Sequence, residues 1–417
     1  MTPLREPGAS LNRPSPACTY PASTNSFNPP AAISGPAARP ASARAATMRA
    51  SGRGLSVTQK VRSSPVGPDS ARWIIRARGD PAPWSGRAAT TLSSGSASNR
   101  PHQPEAAVRN IHIYPDGRAS KLRDAVAEKH GLEPERLIFG NGSDEVFALL
   151  NQTYLTPGDN IVCGQYGFLA YRISARANQA EVKLAPEPQF KATPEALLEQ
   201  VDERTRIVYV SSPSNPTGSY NTGEEIRQLH EALSPDVLLV IDEAYAEYVA
   251  EPDWETSFGL ARDSRNIVVT RTFSKIHGLG GLRIGFGYAP LKVAEAVDRI
   301  RLPFNVSVPG IEAAVAALGD EAHPQASREL IHTWRPRLTQ AIRGFGFEVL
   351  PSAGNFVLVR FTDDKRNAAA ANDYLNSKGV IVRPVGGYGL PDCLRITVGT
   401  EDQNRAVIDA LSEFAAT

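Results

Sequence analysis

An α/β fold, with a mostly parallel central sheet in a large domain and a smaller C-terminal α/β domain, is predicted by three observations. Short apolar runs rich in Val and Ile recur at 161–163, 206–210, 237–241 and 267–270, with 181–184 beside them. They lack the polar alternation of a half-exposed strand, which fits strands covered on both faces. Helical stretches near 168–177, 194–201 and 222–233 separate several of them, the order expected of βαβ units. After Arg301 a long helical region, 309–344, gives way to strands at 347–350, 356–361, 380–383 and 394–398, a helix near 368–378 and a last helix to Phe414. That alternation predicts antiparallel or mixed pairing.

The chain has 417 residues and a formal net charge of +1. This length accommodates about two or three domains. No apolar run approaches the roughly 18 residues needed to span a bilayer, so a cytoplasmic protein without a membrane partner is expected. Cys18, Cys163 and Cys393 lie far apart, which suits a reducing compartment and excludes a cysteine-based zinc site. No metal site is expected. Residues 1–100 hold only Glu6, Asp69 and Asp80 as acids, against Lys60 and a dozen arginines. This Pro/Ala/Ser/Arg-rich leader, 1–104, has too little apolar surface to offset the entropy of ordering and is expected to be disordered. Three origins fit it: a transit peptide, a basic arm for nucleic acid, or a stretch that is not native to the protein.

Organised sequence begins near Glu105. Residues 111–117 read as a short extended piece ending in a Pro-Asp-Gly turn. A helix over 121–130 is stopped by Gly131. A strand at 137–139 runs into Gly140-Asn141-Gly142-Ser143-Asp144-Glu145 and a helix over 146–154. Such a glycine turn presents free N–H groups at the positive end of a helix, where a phosphate binds; an ordinary Ser or Asp cap reads the same way. The 161–163 strand leads on to Phe168. The 206–210 strand opens into Ser211-Ser212-Pro213-Ser214-Asn215-Pro216-Thr217-Gly218, and the 237–241 strand into Asp242-Glu243-Ala244-Tyr245. The 267–270 strand runs into Arg271-Thr272-Phe273-Ser274-Lys275, and the glycine-rich turn beyond it delivers Arg283.

In such sheets ligands sit beyond the strand C-termini, so these residues share one edge. A lysine there, beside hydroxyls, is placed for covalent chemistry with an aldehyde. Pyridoxal 5'-phosphate needs a Schiff-base lysine, a carboxylate for its ring nitrogen, donors to its phenolic oxygen, a phosphate cradle and a flat face to stack on. Lys275, Asp242, the pair Asn215 and Tyr245, the group Gly142, Ser143, Asp144, Ser274 and Arg283, and Phe168 fill those roles in turn. Singly, each is an ordinary turn or surface residue. Together, at successive strand ends, they point to one cofactor.

The series SNPTG (214–218), DEAY (242–245), TFSK (272–275) and GLRIG (281–285) resembles the aspartate-aminotransferase-like enzymes of fold type I. YPDG (114–117), GNGSDE (140–145), GNFVLVR (354–360) and LRITVGT (394–400) narrow the resemblance to the histidinol-phosphate aminotransferases, over about 105–417. The resemblance implies the PLP-transferase fold, with a large cofactor domain at 105–301 and a small domain at 302–417. It implies that Lys275 holds the cofactor and that Asp242, Asn215, Tyr245, Thr272, Ser274 and Arg283 bind it. Tyr114 would reach the neighbouring subunit's cofactor phosphate, hence a homodimer. Arg395 would clamp the amino-acid carboxylate, and Arg383 would lie near the substrate phosphate.

The implied reaction moves an amino group between L-histidinol phosphate and 2-oxoglutarate, with imidazole-acetol phosphate and glutamate as the other pair, in histidine biosynthesis. Aromatic aminotransferase and threonine-phosphate decarboxylase activity are alternatives within the fold. A regulatory or nucleic-acid-binding module is the alternative outside enzymes. The family's Asn-Glu-Asn-Pro segment ahead of YPDG has no counterpart here, where residues 92–101 read LSSGSASNRP. A shifted reading frame or misassigned start upstream of Pro104 is the expectation this raises.

Overall fold

The computed structural model describes residues 111–417, so the leader and its proposed origins lie outside the described residues. The chain runs through helix α1 (Ser120–His130), strand β1 (Leu137–Gly140), α2 (Ser143–Tyr154), β2 (Asn160–Gly164), α3 (Leu169–Ala177), β3 (Glu181–Ala185), α4 (Pro194–Leu198) and β4 (Thr205–Ser211). It continues through α5 (Gly223–Ala232), β5 (Leu238–Asp242), α6 (Phe258–Asp263), β6 (Ile267–Thr272), β7 (Gly285–Tyr288), α7 (Leu291–Ile300) and α8 (Val308–Leu318). The last part is α9 (Ala322–Gly344), β8 (Glu348–Val349), β9 (Phe356–Arg360), α10 (Ala368–Ser377), β10 (Arg383–Val385), β11 (Leu390–Thr397) and α11 (Glu401–Ala415).

The first seven strands form one sheet in the order β1-β7-β6-β5-β4-β2-β3. β3, β2, β4, β5 and β6 pair in parallel, and β7 inserts antiparallel to both β6 and β1. Successive residues of the central strands point to opposite faces, and both faces are buried. Val208, Val210, Leu239, Ile241, Ile267 and Val269 enter one core, while Ile207, Tyr209, Leu238, Val240 and Val268 enter another. That double burial is why these strands read as continuous apolar runs; each such side chain contributes about 1.5–3 kcal/mol. Ser211 lies opposite Asp242, and Asp242 opposite Thr270, so three strands end at one edge.

A second sheet, β10-β11-β9-β8, is antiparallel throughout and packs with α9, α10 and α11. The expected single helix over 309–344 is two, broken at Gly319-Asp320-Glu321 where Gly319 caps α8. The strand expected at 380–383 begins only at Arg383, since the 380–382 stretch runs up to the sheet without pairing. The piece 111–117 forms turns and coil instead of an extended strand. The helices α6 and α7 are additions to the sequence reading.

Arg271 fastens β6 from within. Its Nη2 and Nε lie 2.8 and 3.0 Å from Glu243 Oε2, and its Nη1 lies 2.8 Å from Glu247 Oε1. Its guanidinium also covers the Phe258 ring at 5.0 Å. Arg271→Met would strand the buried Glu243 carboxylate, and a stability loss of about 3–5 kcal/mol is expected. A urea midpoint unchanged from wild type would refute it.

Candidate active site

Lys275 owes its position to its neighbours. Phe273 and Ile276 are sunk in the interior at 1 % and 0 % exposure, so the backbone between them is held at the end of β6. The turn closes through Gly278 N–H to Lys275 O (3.0 Å) and Leu279 N–H to Phe273 O (2.9 Å). Thr272 Oγ1 accepts from Ser274 N–H at 3.2 Å. The Lys275 ammonium stands 5.1 Å from the centre of the Tyr245 ring. Tyr245 in turn meets Phe356 of β9 edge-to-face at 5.4 Å.

Asp242 ends the neighbouring strand with its carboxyl buried. It accepts from Tyr171 Oη at 2.5 Å and from Thr270 Oγ1 at 3.2 Å. Burial pushes this carboxyl up to about 6, although the two hydroxyl donors pull it the other way. Tyr171 lies parallel to Tyr209 at 4.4 Å and is met edge-on by Phe168 at 5.8 Å. Tyr171 and Thr270 were absent from the sequence reading. Tyr171 lies in the first turn of α3, three positions after the Phe168 that caps it, and that nearness to Phe168 was the available signal.

The phosphate cradle expected from the sequence falls where α2 begins. No side chain caps α2 at Gly142, so among the described residues its first N–H groups keep the positive end of the dipole open. Arg283, at φ 55, sends Nη2 to Asp144 Oδ2 (2.9 Å) and Asn141 O (3.3 Å). A Cβ on Gly142, whose φ is 74, would fall 2.5 Å from Arg283 Nη2, and a Cβ on Gly285 would fall 2.3 Å from Ser143 N. Both glycines let the start of β7 press on the start of α2, which brings the guanidinium to the helix end. Because the Asp144 carboxylate is paired with Arg283, this residue offers an anion its backbone N–H, with its side chain holding the arginine.

The opposite wall comes from the second sheet. Arg395 on β11 is 8 % exposed, covers the Phe356 ring at 4.9 Å and donates through Nη1 to Asn215 Oδ1. Its Nε is buried with no hydrogen-bond partner among the described residues. Arg383 lies opposite Arg395 in the ladder and bonds the Tyr388 phenol. Burial pushes that phenol up, while the Arg395 and Arg383 charges pull it down. Tyr388 also was absent from the sequence reading. Tyr114 stands apart, 80 % exposed and packed on Phe304 at 5.0 Å between ring centres.

The arrangement offers an amine beside an aromatic face, a buried acid, an anion-binding helix end and a guanidinium with an open donor. The family profile described as Aminotransferase class I and II matches residues 90–411. Histidinol-phosphate aminotransferase 1 of Caulobacter vibrioides is 56 % identical over 309 residues, 74 % of this chain and 86 % of the relative. Histidinol-phosphate aminotransferase of Nitrobacter hamburgensis is 43 % identical over 343 residues, 81 % of this chain and 94 % of the relative. Among solved structures, histidinol-phosphate aminotransferase from Sinorhizobium meliloti in complex with pyridoxal-5'-phosphate superposes with a TM-score of 0.72 at 29 % identity, covering 75 % of this chain and 86 % of that one.

Proposed function

From the premise that this chain belongs to the class I and II aminotransferases, and among them to the histidinol-phosphate aminotransferases, we propose how its residues carry out the reaction. It is a pyridoxal-phosphate-dependent transaminase of histidine biosynthesis. The amino group passes between L-histidinol phosphate and 2-oxoglutarate, which return imidazole-acetol phosphate and glutamate. The observation that carries the residue assignment is the buried Asp242 carboxyl one strand away from Lys275.

The residues present fit the coenzyme. Asp242, held by Tyr171 and Thr270, suits a protonated ring nitrogen. The α2 N-terminus, Ser274, Thr272 and Arg283 suit its phosphate, Gly142 leaving the room a Cβ would fill. Asn215 and Tyr245 would donate to its phenolic oxygen, and Phe168 would cover its ring. When bound, the coenzyme supplies an aldehyde to condense with amines and a ring that draws electrons from the substrate Cα. Lys275 would hold that aldehyde at rest, and once an incoming amine takes its place its amine would serve as the group that moves the proton from the substrate Cα. Arg395 orients the glutamate carboxylate with its planar fork, and Arg383 would approach the substrate phosphate.

Arg395→Lys keeps the charge and loses the fork. KM for glutamate is expected to rise about tenfold to a hundredfold, with a smaller rise for histidinol phosphate, which has no carboxylate. Equal rises for both substrates would contradict the clamp. For the reaction as a whole, the test is a half-reaction screen in which amino donors are mixed with holoenzyme and the coenzyme absorbance is followed. Histidinol phosphate should shift the spectrum at the lowest concentration. A larger response to aromatic amino acids would favour an aromatic aminotransferase, and decarboxylation of threonine phosphate would favour the third activity of this fold.

The working unit is proposed to be a cytoplasmic homodimer with Tyr114 serving the partner's phosphate site. The exposure of Tyr114 beside Ile111, Ile113, Leu302 and Phe304 supports it. No helix among the described residues is long and apolar enough to cross a membrane. Sedimentation at micromolar concentration tests the dimer, and a monomer with full activity would exclude shared sites.

A further inference from the structure

Between β2 and α3 the chain passes through Gly164-Gln165-Tyr166-Gly167-Phe168, the stretch that delivers Phe168 and, three residues on, Tyr171. Two charged side chains grip it. From beyond β3, Glu187, only 5 % exposed, accepts the Tyr166 N–H on Oε1 at 2.8 Å. Arg172, next to Tyr171 on α3, folds back so that Nη2 donates to Gly164 O at 3.2 Å and to Gln165 O. A Cβ at Gly164 would fall 2.1 Å from Glu187 Oε1, so the carboxyl occupies the space that only a glycine leaves there. Glu187 Oε2 and Arg172 Nε are both buried without a hydrogen-bond partner among the described residues. A buried acid and a half-buried guanidinium whose Nε is shut away from solvent, each only partly satisfied, are costly for a structure to keep.

We propose that Glu187 and Arg172 are positioning residues that hold segment 164–168 and thereby aim Phe168 at the coenzyme ring and the Tyr171 hydroxyl at Asp242. The inference rests on the proposed placing of the coenzyme between Phe168 and Asp242. Neither residue touches the coenzyme; both act through the backbone they bind. The Tyr166 N–H would be left unmet without Glu187 and the Gln165 carbonyl without Arg172, while Gly164 O would keep only the Gly167 N–H. Burial pushes the Glu187 carboxyl up to about 7, against the pull of the Tyr166 N–H and the Arg172 charge. Its amide isostere therefore separates the two functions: glutamine still accepts from Tyr166 without carrying charge.

The experiment titrates wild type, Glu187→Gln, Glu187→Ala and Arg172→Met with pyridoxal phosphate. It reads the dissociation constant and the circular-dichroism band induced in the bound coenzyme. Glu187→Ala and Arg172→Met should each weaken coenzyme binding about tenfold and shrink the band, whereas Glu187→Gln should stay within about threefold of wild type. Combining Glu187→Ala with Phe168→Leu should cost less than the two single losses together, because both act on one contact. Wild-type affinity and band in Glu187→Ala, or equal damage in Glu187→Gln, would overturn the proposal. Should Glu187→Ala not yield folded protein, Arg172→Met decides by the same two readouts. If wild type itself develops no coenzyme band, the coenzyme placement fails, an outcome distinct from failure of the clamp.

Discussion

Lys275→Ala is expected to retain less than about a thousandth of wild-type turnover, since it removes the amine proposed both to hold the coenzyme and to move the proton. Two signatures separate this from simple unfolding. Borohydride should fix the coenzyme on the wild-type peptide that contains Lys275, and it should leave the variant's mass unchanged. Thermal stability should shift little, because among the described residues the ammonium meets the Tyr245 ring, at 5.1 Å, and makes no ion pair. Lys275→Arg is expected to be as inactive as the alanine variant, as a guanidinium keeps the charge but cannot condense. Covalent trapping on any other lysine would sink the assignment.

Asp242→Asn is expected to lower turnover about a hundredfold to a thousandfold, through loss of the negative charge proposed to face the ring nitrogen. Its effect on the coenzyme-free protein should have the opposite sign. The Asp242 carboxyl is pushed up to about 6 by burial, above the value near 4 of an unfolded chain. The protonated form is thus the one the fold accepts, and stability is lost as the pH rises through about 6. The penalty approaches about 3 kcal/mol when ionisation is complete. Coenzyme-free wild type should therefore melt lower at pH 8 than at pH 5, with the part due to Asp242 missing in Asp242→Asn. Saturating coenzyme should remove the wild-type deficit, because a protonated ring nitrogen restores the buried charge pair. An identical pH dependence in both proteins would show that this carboxyl does not titrate as described.

The parallel strands were legible because both of their faces are buried, which turns each into an unbroken apolar run with a chemical residue at its end. Asp242, Lys275 and Asn215 stood out as candidates by motif and by position after a strand, and Arg395 by motif alone, within a strand. What escaped has a physical reason in each case. Tyr171 and Tyr388 look like core aromatics in one dimension, and only the folded chain turns their hydroxyls toward Asp242 and Arg383. Arg383 was expected at the end of its strand but begins it, because β-branched composition at 380–382 carries no information about pairing. Gly319 ends α8 in ordinary helical geometry, φ -82, so no left-handed glycine signal marked the break. Glu187 sits between Pro186 and Pro188 in a short turn where its burial has no sequence signature.

The bond between Arg395 and Asn215 joins the two sheets through a neutral oxygen. Because Arg395 holds the Oδ1 atom, the amide N–H groups of Asn215 are left over to donate elsewhere, so the proposed acid contact and the proposed coenzyme contact hang on one shared hinge.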